Sequence, residues 1–247
     1  MKLGISIPTY NEATNIAILL TQISEALADT SGLDTTVVVV DDNSPDGTAD
    51  IVEKAAKKLN RKTFTVTVHR RAEKDGFGRA CVAGFKNLLN AGVDYVLQMD
   101  ADLSHNPAYL PAFVKAAKEK TDFVVASRYI KGGDTPDWPL HRRLLSRYGN
   151  FYARTFLSQK VTDYTGGFNM YSAKLLKAIE LDKLRATGYG FLIELKFKAL
   201  QNARTFSEIP IVFTDRQHGQ SKIPKSTLIK NLVLVPQIRV QHLTKRK

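Results

Sequence analysis

The sequence predicts an α/β fold in which a mostly parallel, doubly wound sheet is flanked by helices. Through the first 130 residues, short β-branched runs alternate with segments of helical periodicity, the signature of successive βαβ units. The run at 36–40, TVVVV, is apolar without alternation, as in a strand buried on both faces. Between such runs, apolar residues fall three and four apart, as Ile16, Leu19, Leu20, Ile23 and Leu27 do.

In chain order the pattern gives a strand at 3–8 and a helix at 14–28, with Asn11 or Thr14 as its cap. A strand at 36–40, a helix at 46–59, a strand at 64–69 and a helix at 78–90 follow. Next come a strand at 95–99, a helix at 107–118 with proline in its first turn, and a strand at 123–126. Right-handed crossovers line up the strand carboxyl ends on one edge, where open α/β sheets bind ligands. Beyond Ser127 the pattern loosens into a loop with Gly132, Gly133, Pro136 and Pro139, then a basic amphipathic helix at 140–157. Helices at 173–179 and 191–201, a β-like run at 205–213 and a polar loop at 215–222 lead to an amphipathic helix at 226–242, interrupted near Pro236. No repeat, low-complexity tract or Pro/Gly/Ser-rich linker divides the chain, so one domain is the default.

The 247 residues are 43% hydrophobic, enough for a substantial core and too much for a disordered chain. A single cysteine, Cys81, excludes an internal disulfide framework and any Cys-rich metal site, and fits a reducing, cytoplasmic setting. No uninterrupted apolar run approaches the length of a membrane span, and the first residues, MKLGISIPTYNE, lack the features of an export signal. Lys and Arg number 36 against 24 Asp and Glu, a formal charge of +12 that favours anionic partners: nucleic acid, an acidic membrane surface or phosphorylated small molecules. Arg142, Arg143, Arg147 and Arg154 are mixed with aromatic and apolar residues, whereas the terminal KRK reads as a solvated group.

The strands end in polar residues: PTYNE at 8–12, DDNSPDG at 41–47 and DAD at 100–102. Asn43 and Asp46 fit helix caps. Asp100 and Asp102 are different, because two carboxylates one residue apart at a strand end repel unless a cation or a hydrogen-bond donor lies between them. Such a pair beside a diphosphate suits Mg²⁺ or Mn²⁺, hard ions that take carboxylate and phosphate oxygens together. Gly76-Phe77-Gly78 lacks both the third glycine of a dinucleotide fingerprint and the Gly-Lys-Ser/Thr of a P-loop, and no zinc-protease or hydrolase-elbow motif is present. The five histidines, His105 among them, are scattered and read as structural or solvated.

With these residues in view, the chain resembles the GT-A (Rossmann-like) nucleotide-diphospho-sugar transferases of family 2, and within them the polyprenol (dolichol) monophosphomannose synthases. Seven segments in family order carry the resemblance: IPTYNE at 7–12, VVDDNSPDGT at 39–48, MDADLSHNP at 99–107, SRY at 127–129, DYTGGFNMY at 163–171, GYGFLIEL at 188–195 and DRQHGQSK at 215–222. The resemblance implies a catalytic domain at 1–222 and a basic amphipathic helix at 223–247 that touches a membrane surface. It implies metal-dependent, inverting transfer of mannose from GDP-mannose to a polyprenyl phosphate held in the membrane. Pro8, Tyr10, Glu12, Val39 and Asp41, with Asp42 and Ala101 beside them, are then expected around GDP. Asp100 and Asp102 match the metal and diphosphate positions, Arg128, Arg216 and Lys222 the cations around the donor phosphates, and Arg143, Ser146 and Asn150 the acceptor-phosphate site. Asp100, Asp102, Arg128 and Arg216 are the catalytic group in this reading. Some relatives carry Gln two residues after the second Asp as a further metal ligand; here Ser104 stands there, so a water is expected to complete the shell.

Such a reaction needs no general base, since a phosphate monoester is already ionised near neutral pH, its second pKa being about 6. Relatives that append a membrane segment differ from this chain, whose expected location is peripheral, on the cytoplasmic face of a membrane. Contact with anionic lipid through 140–157 and 226–242, or a small membrane anchor protein, would hold it there. Packing of one of these helices on the sheet is the plainer alternative. Two rival functions stand beside this one: a UDP-glucose transferase to a lipid carrier or polysaccharide, and a basic nucleic-acid-binding module. The second lacks any RNP-like, zinc-finger or helix-turn-helix pattern, so nucleic acid is not an expected partner.

Overall fold

Strand β1 (Lys2–Thr9) is an interior strand of a seven-stranded sheet whose order is β3 (Phe64–Arg70), β2 (Asp34–Asp41), β1, β4 (Tyr95–Gln98), β6 (Asn169–Ser172), β5 (Phe123–Ser127) and β7 (Phe206–Pro210). The structure is a computed structural model and describes residues 1–184, 186, 188–214 and 226–244, except the side chains of Tyr189 and of 226–231. The first units follow the predicted alternation: α1 (Ile16–Ala26), β2 (Asp34–Asp41), α2 (Thr48–Leu59), β3 (Phe64–Arg70), α3 (Phe77–Asn90) and β4 (Tyr95–Gln98). A 3-10 turn at Pro107–Tyr109 then precedes α4 (Leu110–Lys118) and β5 (Phe123–Ser127), so the predicted helix at 107–118 starts as a tighter turn. All these strands are parallel where they pair: β1 with β2 and β4, and β2 with β3.

After β5 the chain forms α5 (Leu140–Phe156), β6 (Asn169–Ser172), α6 (Ala173–Ala178), α7 (Tyr189–Asn202), β7 (Phe206–Pro210) and α8 (Ser226–Thr244). Periodicity does not reveal β6, which has only four residues inside the DYTGGFNMY segment. It is antiparallel to both neighbours, pairing Gln98 with Asn169 on one side and Val125 with Asn169 on the other. Its direction matters: an antiparallel strand begins at the edge where parallel strands end. The segment before β6 is therefore delivered to the edge that carries Asp100 and Arg128.

Alternation along the strands divides the core between the two faces of the sheet. Val37 and Val39 of β2 face the layer of α1, α2 and α4, while Val38 and Val40 face α3, α6, α7 and part of α8. Gly84 lets α3 press onto β1, since a Cβ there would come within 2.2 Å of Ser6 Oγ. Cys81, beside it on α3, is fully buried and its thiol is pushed up by burial.

The predicted break in the last helix is absent: α8 continues through Pro236, with Val235 and Ile238 buried against α7 and α5. Proline has no N–H to give the carbonyl four residues back, that of Leu232. The Tyr152 hydroxyl of α5 donates to that carbonyl at 2.7 Å instead. Tyr152→Phe is expected to destabilise the protein by about 1 kcal/mol. In Pro236→Ala, where the helix regains its own donor, the same change should cost much less; chemical denaturation of the four proteins in a double-mutant cycle checks this. The boundary expected at 222–223 lies outside the described residues.

Candidate active site

β1 lies beside β4 at the point where the strand order reverses, which is where open α/β sheets form a ligand crevice. Two loops are laced together on the β1 side. Asn11 N donates to Ser44 Oγ, Glu12 N to Thr48 Oγ1 and Ala13 N to Asp46 Oδ2, so Asp46 ties one loop to the other and also accepts from Thr48 N, although the N-cap of α2 is Gly47 and not the predicted Asp46. Asp41, buried at the end of β2, accepts from Thr9 Oγ1 at 3.0 Å and from Ser44 N at 2.9 Å and Oγ at 2.6 Å. Burial raises the Asp42 carboxyl, although Arg71 Nη1 donates to it at 2.6 Å and opposes the rise. Pro8, Tyr10 and Glu12 are half-buried on this rim, Val39 lies in the sheet core, and Lys74 Nζ sits 3.7 Å above the Tyr10 ring.

Asp100 and Asp102 leave the edge immediately beyond β4, with Ala101 buried between them. Each is fixed by a neighbour. His105 Nδ1 accepts the Asp100 N–H at 2.9 Å, which leaves the ring proton on Nε2, 3.9 Å from Asp100 Oδ2. Buried and stacked on Phe168, His105 has its pKa lowered to about 4, burial being the main cause, so the ring is neutral. Ser104 is also buried, and it donates to Asp102 Oδ1 through Oγ at 2.5 Å and through N at 3.2 Å. The hydroxyl read from sequence as a poor metal ligand thus orients the carboxylate beside it.

The described residues contain no group of three or more His, Cys, Asp or Glu that could enclose a metal. Two carboxylates fit a hard divalent ion that draws its other ligands from phosphate oxygens. Gly167 keeps this approach narrow but clear, since a Cβ there would lie 3.3 Å from Asp100 Oδ1.

Opposite, at the end of β5, Arg128 is buried among Tyr129, Trp138 and Phe213. Its Nε and Nη2 reach Asp163 Oδ2 and Oδ1 at 2.7 and 2.8 Å, and Nη2 also donates to Thr165 Oγ1. Asp163 additionally accepts the N–H groups of Thr165 and Gly166, so one carboxylate folds the loop that leads into β6. Burial would raise Asp163, but Arg128 and Lys196 outweigh it and hold the carboxyl well below the usual range. Lys196, fully buried, donates to the Asp163 carbonyl and is pulled down to about 8 by burial. Arg128, expected from sequence as a cation facing the donor, is thus also one half of a buried ion pair.

Asn150 meets this loop from α5, and Ser146, one turn earlier, meets Tyr129 instead. Ser146 Oγ accepts from Tyr129 at 2.6 Å, and Asn150 bonds to Ser146 O, Thr165 Oγ1 and Tyr164 N. Arg143 pairs with Asp134 at 3.2 Å near the start of the helix. Arg216 and Lys222 lie outside the described residues. Sequence reasoning overlooked His105 and Asp163. A lone histidine has no periodic signature, but its place three residues after the Asp-x-Asp pair was an available signal. The 35-residue separation of Asp163 from Arg128 offered none.

Residues 5–180 match the family model described as Glycosyl transferase family 2. An undecaprenyl-phosphate mannosyltransferase of Micrococcus luteus is 38% identical over 217 residues, 88% of this chain and 85% of that protein. A polyprenol monophosphomannose synthase of Mycolicibacterium smegmatis is 35% identical over 222 residues, 90% and 81% of the two chains. Among solved structures, mannosyl-3-phosphoglycerate synthase from Rubrobacter xylanophilus aligns with a TM-score of 0.70 at 18% identity, covering 100% of this chain and 75% of that one. Glucosyl-3-phosphoglycerate synthase from Mycobacterium tuberculosis, in complex with Mn²⁺, UDP-glucose and phosphoglyceric acid, aligns with a TM-score of 0.66 at 19% identity, covering 97% and 79%. The structural likenesses bear on the fold, which is that of these transferases.

Proposed function

The chain belongs to glycosyl transferase family 2, and from that premise we propose that it transfers mannose from GDP-mannose to a polyprenyl phosphate, with inversion at the anomeric carbon. The observation that carries this reading is identity of 35–38% to two polyprenyl-phosphate mannose transferases over nearly the whole chain. The rim formed by Pro8, Tyr10, Glu12, Asp41 and Asp42, backed by Val39 in the sheet, would hold the guanosine, and Ala101 the diphosphate side of it. Asp100 and Asp102 would hold Mg²⁺ or Mn²⁺, which when bound neutralises the leaving diphosphate as a Lewis acid.

The chemical difficulty is charge, because both the leaving diphosphate and the attacking phosphate are anions. Ser104 holds the Asp102 carboxylate and His105 the backbone of Asp100, so little reorganisation would be needed as charge develops. Arg128, fixed by Asp163, and Arg216 and Lys222 would add positive charge where the anions converge. Arg143 and Ser146 would meet the acceptor phosphate, with Asn150 joining α5 to the 163–168 loop. No side chain is assigned as a base.

The same reading places the enzyme peripherally on the cytoplasmic face of a membrane, with or without a small anchor protein. Among the described residues no helix is long and apolar enough to cross a bilayer. The faces of α5 and α8 are suited to lying on one: Leu144, Leu145, Tyr148 and Phe151 are exposed on α5, and Leu232, Val233, Val240 and Leu243 on α8. The UDP-glucose held by the Mycobacterium tuberculosis relative favours a second reading, a UDP-sugar donor on the same fold.

A donor screen decides between them. Purified protein, a short polyprenyl phosphate and GDP-mannose, UDP-glucose or UDP-GlcNAc should give lipid product from GDP-mannose alone, and EDTA should abolish it. Product only from a UDP-sugar would move the assignment to the second reading, and EDTA-resistant turnover would remove the metal from it.

A further inference from the structure

A cavity of about 450 Å³ lies between α5 and the segment that follows β5, and its lining is basic without a single carboxylate. Arg147, Phe151 and Arg154 line it from successive turns of α5, and Ile130 and Lys131 from the facing segment. Arg128 reaches it too, but its charge is met by Asp163. Lys131, Arg147 and Arg154 form no ion pair among the described residues. Arg154 Nη2 donates only to the Gln159 carbonyl, at 3.3 Å, and its Nε is buried without a partner. Three cations around one small space repel unless an anion joins them.

Asn150 borders the cavity as Arg128 does, the first bonded to Thr165 and Tyr164 and the second to Asp163, whereas Asp100, Asp102, Arg143 and Ser146 do not line it, so the cavity adjoins the acceptor site without coinciding with it. At the rim, Phe151 is 67% exposed and continues a stripe with Leu144 and Tyr148. An anion here meets a basic interior and an apolar exit, and the cavity has the size of a small-molecule site. We propose that this cavity seats the headgroup phosphate of an anionic bilayer phospholipid that is not a substrate, docking α5 beside the acceptor site. The inference rests on the membrane-surface reading of α5 and requires nothing of the sugar donor.

The test is sedimentation of the full chain with phosphatidylcholine vesicles containing phosphatidylglycerol, without nucleotide sugar or polyprenyl phosphate. At about fivefold per cation, K131Q/R147Q/R154Q should weaken binding about a hundredfold, while K54Q/K57Q/K58Q on α2, with the same loss of charge, should bind nearly as the parent does. Should the triple variant fail to fold, Arg147→Gln alone, at an exposed position, should lose about fivefold. Transfer to a soluble short-chain prenyl phosphate should keep its kcat/KM in the cavity variant. Equal losses in the two triple variants would reduce the effect to net charge and overturn the proposal. So would release of the protein from vesicles by millimolar inorganic phosphate, which would mark a free-anion site, or a parallel loss of kcat/KM, which would place the reacting phosphate in the cavity. Because vesicle binding is read without substrates, failure of the donor screen leaves this result intact.

Discussion

Asp102→Asn is expected to slow mannosyl transfer by about a thousandfold while the protein stays folded. The amide keeps an oxygen for the Ser104 hydrogen bonds, so the local turn survives. On the proposed reading, what would be lost is one of the two anionic ligands for the divalent ion that offsets charge on the leaving diphosphate, an effect of the size seen when a single stabilising donor is removed. Initial rates with labelled donor at saturating Mn²⁺, together with Mn²⁺ affinity by electron paramagnetic resonance and a thermal melt, separate chemistry from folding. Near-normal turnover at saturating metal would sink the assignment of Asp102.

Asp163→Asn acts on stability. The substitution leaves Arg128 and Lys196 buried without their counter-charge, and breaking a buried pair in this way costs about 3–5 kcal/mol. In a chain of this length that should lower Tm by about 10 °C. The sign of the pH dependence follows from the carboxyl being held below its ordinary value of 3.8. Its stabilisation is fully present above the unfolded-state pKa and disappears as pH falls through the lower folded-state value. The gap between parent and variant should therefore be constant from neutral pH to about pH 5 and close only on strong acidification. Unfolding curves at several pH values check this, and an unchanged Tm for Asp163→Asn would show the pair to be dispensable.

Much of the fold was legible because its first half obeys local rules. β2 is a continuous β-branched run, and α1 and α3 carry apolar residues at helical spacing, so each element declared itself without its neighbours. β6 did not, since four residues cannot display a period and its motif drew attention to ligand chemistry instead. Pro236 misled for a related reason: the donor that makes it tolerable, Tyr152, belongs to another helix. At the site, the Asp-x-Asp pair and the polar strand ends could be read from their positions alone. The partners that fix them, His105 under Asp100 and Asp163 under Arg128, are products of tertiary packing.

The reversed strand has a further consequence. Because β6 fills the space between β4 and β5, the strand ends bearing Asp100 and Arg128 are held two inter-strand steps apart, about 10 Å. That interval is a backbone ruler, set by ladder hydrogen bonds and indifferent to side-chain rotamers. On the proposed reading one sugar ring with a phosphate on either side would lie across it, and a larger sugar would not be admitted by spreading the edge. Any broadening of donor choice in this chain has to come from the loops above the ruler.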